Sequence, residues 1–300
     1  MSNAIVITDF GGPDVLQWRE VQTPVPQAGE VLIRVKAAGV GPTDLHIRAG
    51  HLAAVFPQRP GDVLGFEASG VIEAVGEGAD ARVGDEVAAL LLAQGGYGEL
   101  VTATAWHPKP AAVTWEEAAA LPASAEAAVG VVRQSGAESG QTLVVLGAAG
   151  SVGSVVVQLA RSRGIRVIGV ASDRDAELIG ELGGEFVAYG DRVFDRIGTP
   201  IDAVIDAAGH GGLVEAVEAV GDASRVVTLT GGPELATSGA LMSVPTPDRA
   251  PDALAMTIPL LASGELRLKH RRSLSIRDAA EAHRLLESGE TRDKIVLTFD

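Results

Sequence analysis

Three glycines at a spacing of three residues mark the part of this sequence best suited to bind a ligand. They interrupt the uncharged segment 143–160, LVVLGAAGSVGSVVVQLA. Residues 143–146 predict a buried strand, and residues 152–161 carry apolar side chains at helical spacing. This order can cradle a pyrophosphate, because glycine permits close backbone approach and the first helical turn offers free N–H groups. The predicted dinucleotide contacts are Gly147, Ala149, Gly150, Ser151, Val152 and Gly153.

A serine hydrolase is an alternative interpretation of the same turn. Residues 149–153, AGSVG, resemble a degenerate nucleophile elbow, and His210, His270 and His283 follow downstream. However, alanine replaces the first glycine of the elbow, and nothing upstream resembles an oxyanion-hole motif. These departures argue against a hydrolase, and we interpret Ser151 as a phosphate-facing turn residue.

The sequence after this turn alternates between strand and helix patterns. Strands are predicted at 166–171, 186–188, 202–206 and 225–230, and helices at 175–182 and 213–220. Strands joined by helices of about ten residues pair in parallel through right-handed crossovers. The sequence therefore predicts an α/β fold with a doubly wound parallel sheet of the Rossmann type, which binds a dinucleotide at the carboxyl ends of its strands.

The first 120 residues have a different pattern. Loops rich in Gly and Pro separate short strands at 31–35, 71–75 and 97–102, which is typical of a mainly antiparallel, barrel-like domain. A helix at 276–286 and a strand at 295–299 are predicted to return to this domain. We therefore expect a substrate domain at 1–120, a nucleotide-binding domain at 121–250 and a C-terminal return to the substrate domain at 251–300.

Composition narrows the classes of partner. The length of 300 residues suffices for two domains, and the formal net charge of −15 argues against binding nucleic acid or an anionic membrane. Glycines, Gln158 and nearby arginines argue against a membrane span at 143–160. Cysteine is absent, so neither disulfides nor thiolate metal sites can form. The N-terminal residues lack the pattern of a signal peptide, and we expect a cytoplasmic protein.

Further motifs occur along the chain in a characteristic order. They are AAGVGPTDLHIRAG (37–50), PGDVLGFEASGVIEAVGEGA (60–79), VGDEV (83–87), GGYGELV (95–101), GAAGSVG (147–153) and RDKIVL (292–297). Together they resemble the medium-chain dehydrogenase/reductase superfamily and, within it, the zinc-free, zeta-crystallin-like quinone oxidoreductase group. The resemblance covers nearly the whole chain, and it implies a GroES-like substrate domain and a Rossmann domain.

The chain departs from the zinc-dependent members at their metal ligands. Those enzymes have a cysteine where this chain has Gly41 and a histidine where it has Phe66, and their four-cysteine lobe is missing here. We therefore predict no bound metal, so that zinc would not polarise the substrate oxygen. The resemblance then implies hydride transfer from the cofactor to a quinone or to the C=C bond of an α,β-unsaturated carbonyl. Zinc-free members usually have asparagine in place of Gly41, which implies weaker activity or a wider pocket here.

The end of the second Rossmann strand distinguishes the two nicotinamide cofactors. An NAD site has Asp or Glu there, whereas this strand ends in Ser172, followed by Arg174 and, after the third strand, by Tyr189. A hydroxyl, a guanidinium and a phenol suit a 2′-phosphate, so the sequence favours NADPH. Asp173 leaves NAD open, because a one-residue shift would place its carboxylate at the ribose. Ser172 could also cap the following helix.

Other candidate residues follow from the fold and from the resemblance. The ends of the fourth and fifth strands place Ala208, Leu229 and Thr230 near the nicotinamide half. The resemblance adds Arg292 or Lys294 from the C-terminal strand. It also implies a homodimer, because superfamily relatives commonly pair their nucleotide domains through an edge strand.

The TDLH motif contains two candidates for catalysis. His46 could protonate a reduced quinone oxygen or an enolate near neutral pH, or it could be a loop residue bonded to the backbone. Asp44 could orient His46 or the ribose, or it could close a turn. Glu67 is expected in a structural ion pair. The candidates for walls of an apolar pocket, or alternatively for core, are Phe56, Phe66, Leu91 and Leu92.

These observations predict a zinc-independent, NADPH-dependent oxidoreductase that acts on a small hydrophobic electrophile, either a quinone or an enone. A 2-enoyl-thioester reductase is the nearest alternative enzyme. A catalytically weak NADPH-binding or sensor protein is the alternative from another class.

Overall fold

The chain folds into two compact units in the computed structural model, which describes residues 1–92 and 95–299. The first unit contains Met1–Ala123, Leu254–Glu265 and the segment from His270 onward, and the second contains Ser124–Ala253 and Leu266–Lys269. The sequence predicts changes of domain at 120 and 250, close to where the units change. The assignment of a function to each domain stays a prediction.

Strands and helices alternate along the described residues. The strands are β1 (Ser2–Ile7), β2 (Leu16–Val21), β3 (Val31–Val40), β4 (Glu67–Val75), β5 (Glu86–Leu90), β6 (Leu100–Ala103), β7 (Ala105–Pro108), β8 (Thr142–Leu146), β9 (Arg166–Ala171), β10 (Glu185–Ala188), β11 (Ala203–Asp206), β12 (Val226–Thr228), β13 (Leu241–Met242), β14 (Arg271–Ser275) and β15 (Lys294–Thr298). The helices are α1 (Pro42–Arg48), α2 (Trp115–Ala120), α3 (Pro122–Gln134), α4 (Ser151–Ser162), α5 (Ala176–Glu181), α6 (Leu213–Val220), α7 (Leu235–Ser238), α8 (Ala253–Ser263) and α9 (Ala279–Ser288). Within the described ranges, no helix has the length and apolar character needed to span a bilayer.

A seven-stranded, mainly antiparallel sheet is the framework of the first unit, as the sequence predicts. Its order is β14-β15-β3-β4-β5-β7, with β6 paired to β3, and the β14–β15 pair is parallel. Ile33, Ile72 and Ile295 from three of these strands are buried in one apolar core. Ile47 of α1 is buried in the same core and therefore anchors that short helix.

The second unit contains a six-stranded parallel sheet in the order β10-β9-β8-β11-β12-β13. This is the strand order of the doubly wound dinucleotide-binding fold. Every residue of β8 and of β11 is buried, because helices cover a parallel sheet on both faces. The strand order reverses between β8 and β11, so the loops that follow these two strands flank the crevice where such folds bind ligands. The predicted α/β fold class is confirmed.

The structure corrects several predicted boundaries. The predicted strand at 97–102 is β6, which begins at Leu100, because Tyr97 is a fully buried turn residue whose N–H donates to Leu64 O at 2.8 Å. The predicted strand at 225–230 is β12, which ends at Thr228. The elements without a counterpart in the sequence predictions are helices α1, α2, α3, α7 and α8 and strands β1, β2, β5, β7, β13 and β14.

Candidate active site

The glycine turn between β8 and α4 has the geometry of an anion cradle. Gly147 has a φ of 80°, in the left-handed region that favours glycine. A Cβ on Gly153 would lie 2.1 Å from Gly147 O, so only glycine lets the first turn of α4 pack this closely against the loop. Gly150 precedes the helix, and Ala149, Gly150, Ser151 and Val152 remain partly exposed. The first N–H groups of α4 have no partner within the helix and suit a diphosphate.

The residues predicted to recognise a 2′-phosphate lie at the carboxyl ends of the neighbouring strands β9 and β10, where Tyr189 N donates to Ala171 O at 2.9 Å. Arg174 Nε donates to Ser172 Oγ at 3.3 Å, directly after β9, and Arg174 and Asp173 are exposed. Ser172 makes no capping hydrogen bond with its side chain, contrary to the alternative that it caps the next turn. The Tyr189 ring lies 5.6 Å from the His210 ring. Burial, followed by the charge of Asp206, raises the pKa of Tyr189 to about 12, while a backbone group of Gly147 opposes this shift.

Asp206, a residue that the sequence predictions do not include, organises the ends of β11 and β12. Its carboxylate is 2% exposed, and its Oδ1 accepts from Ala208 N at 2.9 Å and Gly209 N at 3.0 Å. Its Oδ2 accepts from Thr228 Oγ1 at 2.8 Å and Thr230 Oγ1 at 3.1 Å. The predicted contacts Ala208, Leu229 and Thr230 therefore lie together at this edge. The one feature of the sequence that could have indicated Asp206 is the charge that ends the otherwise apolar segment AVID.

Asp44 closes the turn at the start of α1, which is one of its predicted roles. It is 1% exposed; its Oδ2 accepts from Gly41 N at 2.9 Å, while its Oδ1 has no hydrogen-bond partner. Burial raises the pKa of Asp44 to about 7, although the Gly41 amide and the charge of Lys294 oppose the shift. His46 lies on the exposed side of α1, with its Nδ1 3.4 Å from His51 Nδ1.

The ion pair predicted for Glu67 is confirmed. Lys294 Nζ lies 2.6 Å from Glu67 Oε1, and Glu67 Oε2 accepts from Ala123 N at 2.8 Å. Lys294 and Glu67 are 8% and 1% exposed. The ammonium group predicted to reach the cofactor is thus engaged by a buried carboxylate, whereas Arg292, just before β15, is exposed.

A second buried polar cluster in the first unit joins α1 to α9. Arg48 Nη1 lies 3.3 Å from His283 Nδ1, and the Tyr97 hydroxyl lies 3.1 Å from His283 Nε2. Because a guanidinium can only donate, the imidazole is neutral, with its proton on Nε2. Burial, assisted by the charge of Arg48, lowers the pKa of His283 to about 3. The histidines weighed for a hydrolase thus have other partners, since His210 lies against Tyr189 and His270 Nδ1 lies 3.1 Å from Asp293 Oδ1.

The aromatic and leucine side chains considered as pocket walls divide between cavity and core. Phe56 and Leu92 line a cavity of about 650 Å³ in the first unit. Phe66 and Leu91 are each 7% exposed and belong to the core. Phe56 packs edge-on against Phe66 at a centroid distance of 5.3 Å, so the core supports one wall of the cavity.

Comparison with known proteins agrees with this architecture. Residues 27–112 match the family model described as the alcohol dehydrogenase GroES-like domain, and residues 182–297 match the one described as zinc-binding dehydrogenase. Quinone oxidoreductase of Mus musculus is 31% identical over 246 residues, 76% of this chain and 73% of the relative. The NADPH-dependent alkenal/one oxidoreductase of Arabidopsis thaliana chloroplasts is 30% identical over 312 residues, 98% of this chain and 78% of the relative. The solved quinone oxidoreductase of Coxiella burnetii has a TM-score of 0.87 and 26% identity, covering 100% of this chain and 99% of that one.

These matches place the chain in the medium-chain dehydrogenase/reductase superfamily. Within that superfamily it belongs to the zeta-crystallin-like group, and it is an oxidoreductase of the quinone and enone reductase type.

The description of the second family model names zinc, but the residues at the ligand positions of the zinc-dependent members do not match. Gly41 and Phe66 have no donor atoms at the positions of the cysteine and histidine ligands, and Glu67 is paired with Lys294. Across residues 1–92 and 95–299, no cluster of three His, Cys, Asp or Glu side chains could hold a metal ion. The side chains present therefore do not fit this metal.

Proposed function

We propose that this protein is a zinc-independent, NADPH-dependent oxidoreductase that delivers hydride to a quinone or an α,β-unsaturated carbonyl. The observation that carries the proposal is the glycine turn, where a Cβ on Gly153 would meet Gly147 O at 2.1 Å. That close approach leaves N–H groups of α4 for a diphosphate. When bound, the cofactor supplies the hydride, and the protein supplies position and electrostatic environment.

The contact between Arg174 and Ser172 supports NADPH over NADH. Their guanidinium and hydroxyl groups meet 3.3 Å apart at the end of β9, where an NAD site has a carboxylate. A guanidinium binds phosphate oxygens through charge-assisted hydrogen bonds. The Tyr189 ring lies near Gly147 and His210, so we assign its side chain to the neighbourhood of the glycine turn. The NADPH in the name of the Arabidopsis relative is consistent with this choice.

The missing zinc ligands support a substrate that reacts without a Lewis acid. A quinone or an enone accepts hydride because its product is a stabilised phenolate or enolate, which then needs a proton. His46 is the proposed proton donor, since its imidazole is exposed and can exchange protons with water. Asp44 positions the start of α1 through Gly41 N. Of the two basic residues near β15, exposed Arg292 is the one proposed to reach the cofactor.

An open sheet edge supports the proposed homodimer. β13 is the outer strand of the parallel sheet, and Leu241, Met242 and Val244 are 40–42% exposed. An edge strand with exposed apolar side chains invites pairing with another strand. The net charge of −15 supports a protein that binds neither nucleic acid nor anionic membrane.

Turnover of NADPH with defined acceptors tests the proposed function. NADPH absorbance would be followed with quinones, with enones and with a crotonyl thioester, each with and without a metal chelator. Consumption with a quinone or enone that the chelator leaves unchanged is the expected result. Preference for the thioester would favour the enoyl reductase, and tight binding without turnover would favour a sensor. Acylation of Ser151 by an ester analogue would overturn the proposal.

A further inference from the structure

The carboxylate of Asp206 joins two loops through four hydrogen bonds. It accepts from two backbone N–H groups of the loop after β11 and from two threonine hydroxyls at the end of β12, at 2.8–3.1 Å. A buried carboxylate with this many donors fixes both loops, because breaking any of these bonds would leave a polar group unpaired.

The same network turns the backbone donors at this edge inward. Ala208 N and Gly209 N donate to Asp206, Ala207 N donates to Leu146 O at 2.9 Å, and Leu229 N donates to Asp206 O at 2.9 Å. Thr230 N donates to Thr228 Oγ1 at 3.0 Å. These N–H groups are therefore already bonded within the protein. This is the opposite of the glycine turn, which offers N–H groups.

Two further contacts tie the loops together at the same place. Gly209 has a φ of 69°, and a Cβ there would lie 2.8 Å from Thr230 Oγ1. Glu234 Oε2, from the segment after β12, accepts from Leu213 N at 2.7 Å at the start of α6. The positions of the two loops are thus determined jointly, and Asp206 is at their centre.

We propose that Asp206 is a positioning residue for the nicotinamide half of the cofactor. It does so by fixing the ends of β11 and β12, the edge at which the fold is expected to place the nicotinamide half. Asp206 does not touch the ligand itself, since it is 2% exposed. This inference rests on the proposed function, because it requires a nicotinamide cofactor in the second unit.

Two ligands test the two halves of the cofactor site separately. NADPH carries the nicotinamide, whereas 2′,5′-ADP carries only the adenosine and phosphate groups. For Asp206→Ala we expect NADPH affinity to fall about tenfold, in line with the loss of hydrogen bonds to a charged group, and 2′,5′-ADP affinity to stay unchanged. Asp206→Asn should restore NADPH affinity, because its Oδ1 still accepts from both N–H groups and its NH₂ can donate to the hydroxyls.

Asp202 provides a matched control at the other end of the same strand. Its Oδ2 accepts from Thr142 N at 2.8 Å, just before β11 begins. Asp202→Ala also removes a carboxylate that accepts a backbone hydrogen bond, but it does so away from the carboxyl edge of the sheet. We expect it to change neither ligand's affinity.

The outcomes distinguish the two proposals. If the wild-type protein binds neither NADPH nor 2′,5′-ADP, the proposed function fails. If it binds both and folded Asp206→Ala keeps its NADPH affinity, or loses both affinities equally, the role of Asp206 is overturned. If Asp206→Ala does not fold, Thr228→Val decides, because Thr228 is fully buried and its hydroxyl joins Asp206 Oδ2 to Thr230 N. A selective loss of NADPH affinity in that variant supports the role, and unchanged affinity overturns it.

Discussion

Asp44 in the first unit and Asp206 in the second are equally buried, at 1% and 2% exposure, yet their surroundings differ. Asp206 accepts four hydrogen bonds, two at each oxygen. Asp44 accepts one from Gly41, and its other oxygen has no partner. The pKa of Asp44 is raised to about 7, chiefly by burial. Two equally buried carboxylates thus differ in the number of their donors: Asp206 joins two loops, whereas Asp44 closes a single turn.

The largest effect is expected from Asp44→Asn. Because its pKa rises from 3.8 to about 7 on folding, the native state binds a proton in this range that the unfolded state has lost. The contribution of Asp44 to stability therefore falls as pH rises from about 4 to 7, at up to about 1.4 kcal/mol per pH unit. The substitution should remove this slope and raise the free energy of unfolding at pH 8, relative to pH 4, by about 4 kcal/mol. Urea unfolding across pH measures it.

Asp85→Asn is the control for this prediction. Asp85 Oδ2 accepts from Arg82 N at 2.9 Å, the same kind of turn bond, but Asp85 is not buried. If both substitutions change the pH profile equally, burial is not what distinguishes Asp44.

His283→Gln should have the opposite effect on the pH profile. The pKa of His283 falls from 6.5 to about 3 on folding, so below pH 6.5 the unfolded state binds a proton that the native state excludes. This group therefore costs stability as pH falls from 6.5, by about 3 kcal/mol at pH 4. Between pH 4 and 6.5 its slope cancels that of Asp44. We expect the His283 variant to lose stability toward neutral pH and the Asp44 variant to lose it toward acid. Parallel curves of unfolding free energy against pH for the two variants would refute these opposite contributions.

Arg174→Ala tests an exposed charged group, in contrast to the buried carboxyl groups of Asp44 and Asp206. Loss of a guanidinium that binds the 2′-phosphate should raise the KM for NADPH about tenfold and leave the KM for NADH unchanged. Steady-state kinetics with both cofactors measures the ratio. Asp173→Ala is the matched control, because Asp173 is the exposed neighbour with the opposite charge. Equal changes for NADPH and NADH in Arg174→Ala would remove the 2′-phosphate assignment.

The smallest effect is expected from His46→Gln, which isolates the exposed titratable group of α1 from buried Asp44. We expect kcat with an enone to fall only about threefold, since water can replace a general acid in part. KM should not change. His51→Gln, at the exposed neighbour 3.4 Å away, is the control. A pH–kcat profile identical to that of the wild type would exclude His46 from proton transfer.

The sequence predicts the second unit better than the first because a parallel sheet gives a regular signal. Strand β9 and helix α6 follow from their apolar residues, and Gly221 ends α6. Helix α3 was missed because almost every residue in it is buried, so it lacks a polar face to reveal its period. Strand β13 was missed because two exposed residues form no pattern.

The candidate site likewise has a part that the sequence predicts and a part that it does not. The glycine turn is local in sequence, and its geometry could be predicted from the spacing of its glycines. The pairs Glu67–Lys294 and Tyr97–His283 join residues far apart in the chain, and nothing in the local sequence determines such contacts. Asp206 was missed because only the register of β11 and β12 brings Thr228 to its carboxylate, although Ala208 and Gly209 are its neighbours in sequence.

The return of the chain to the first unit has a consequence for synthesis. The second unit is complete once Lys269 has left the ribosome, whereas β3 must wait for β15, which follows at Lys294–Thr298. Until Lys294 arrives, Glu67 lacks its counter-ion. The unit that begins first is therefore completed after the second, against the usual N-terminal-first order. A chain truncated after residue 290 should keep a protease-resistant second unit while its first unit is digested.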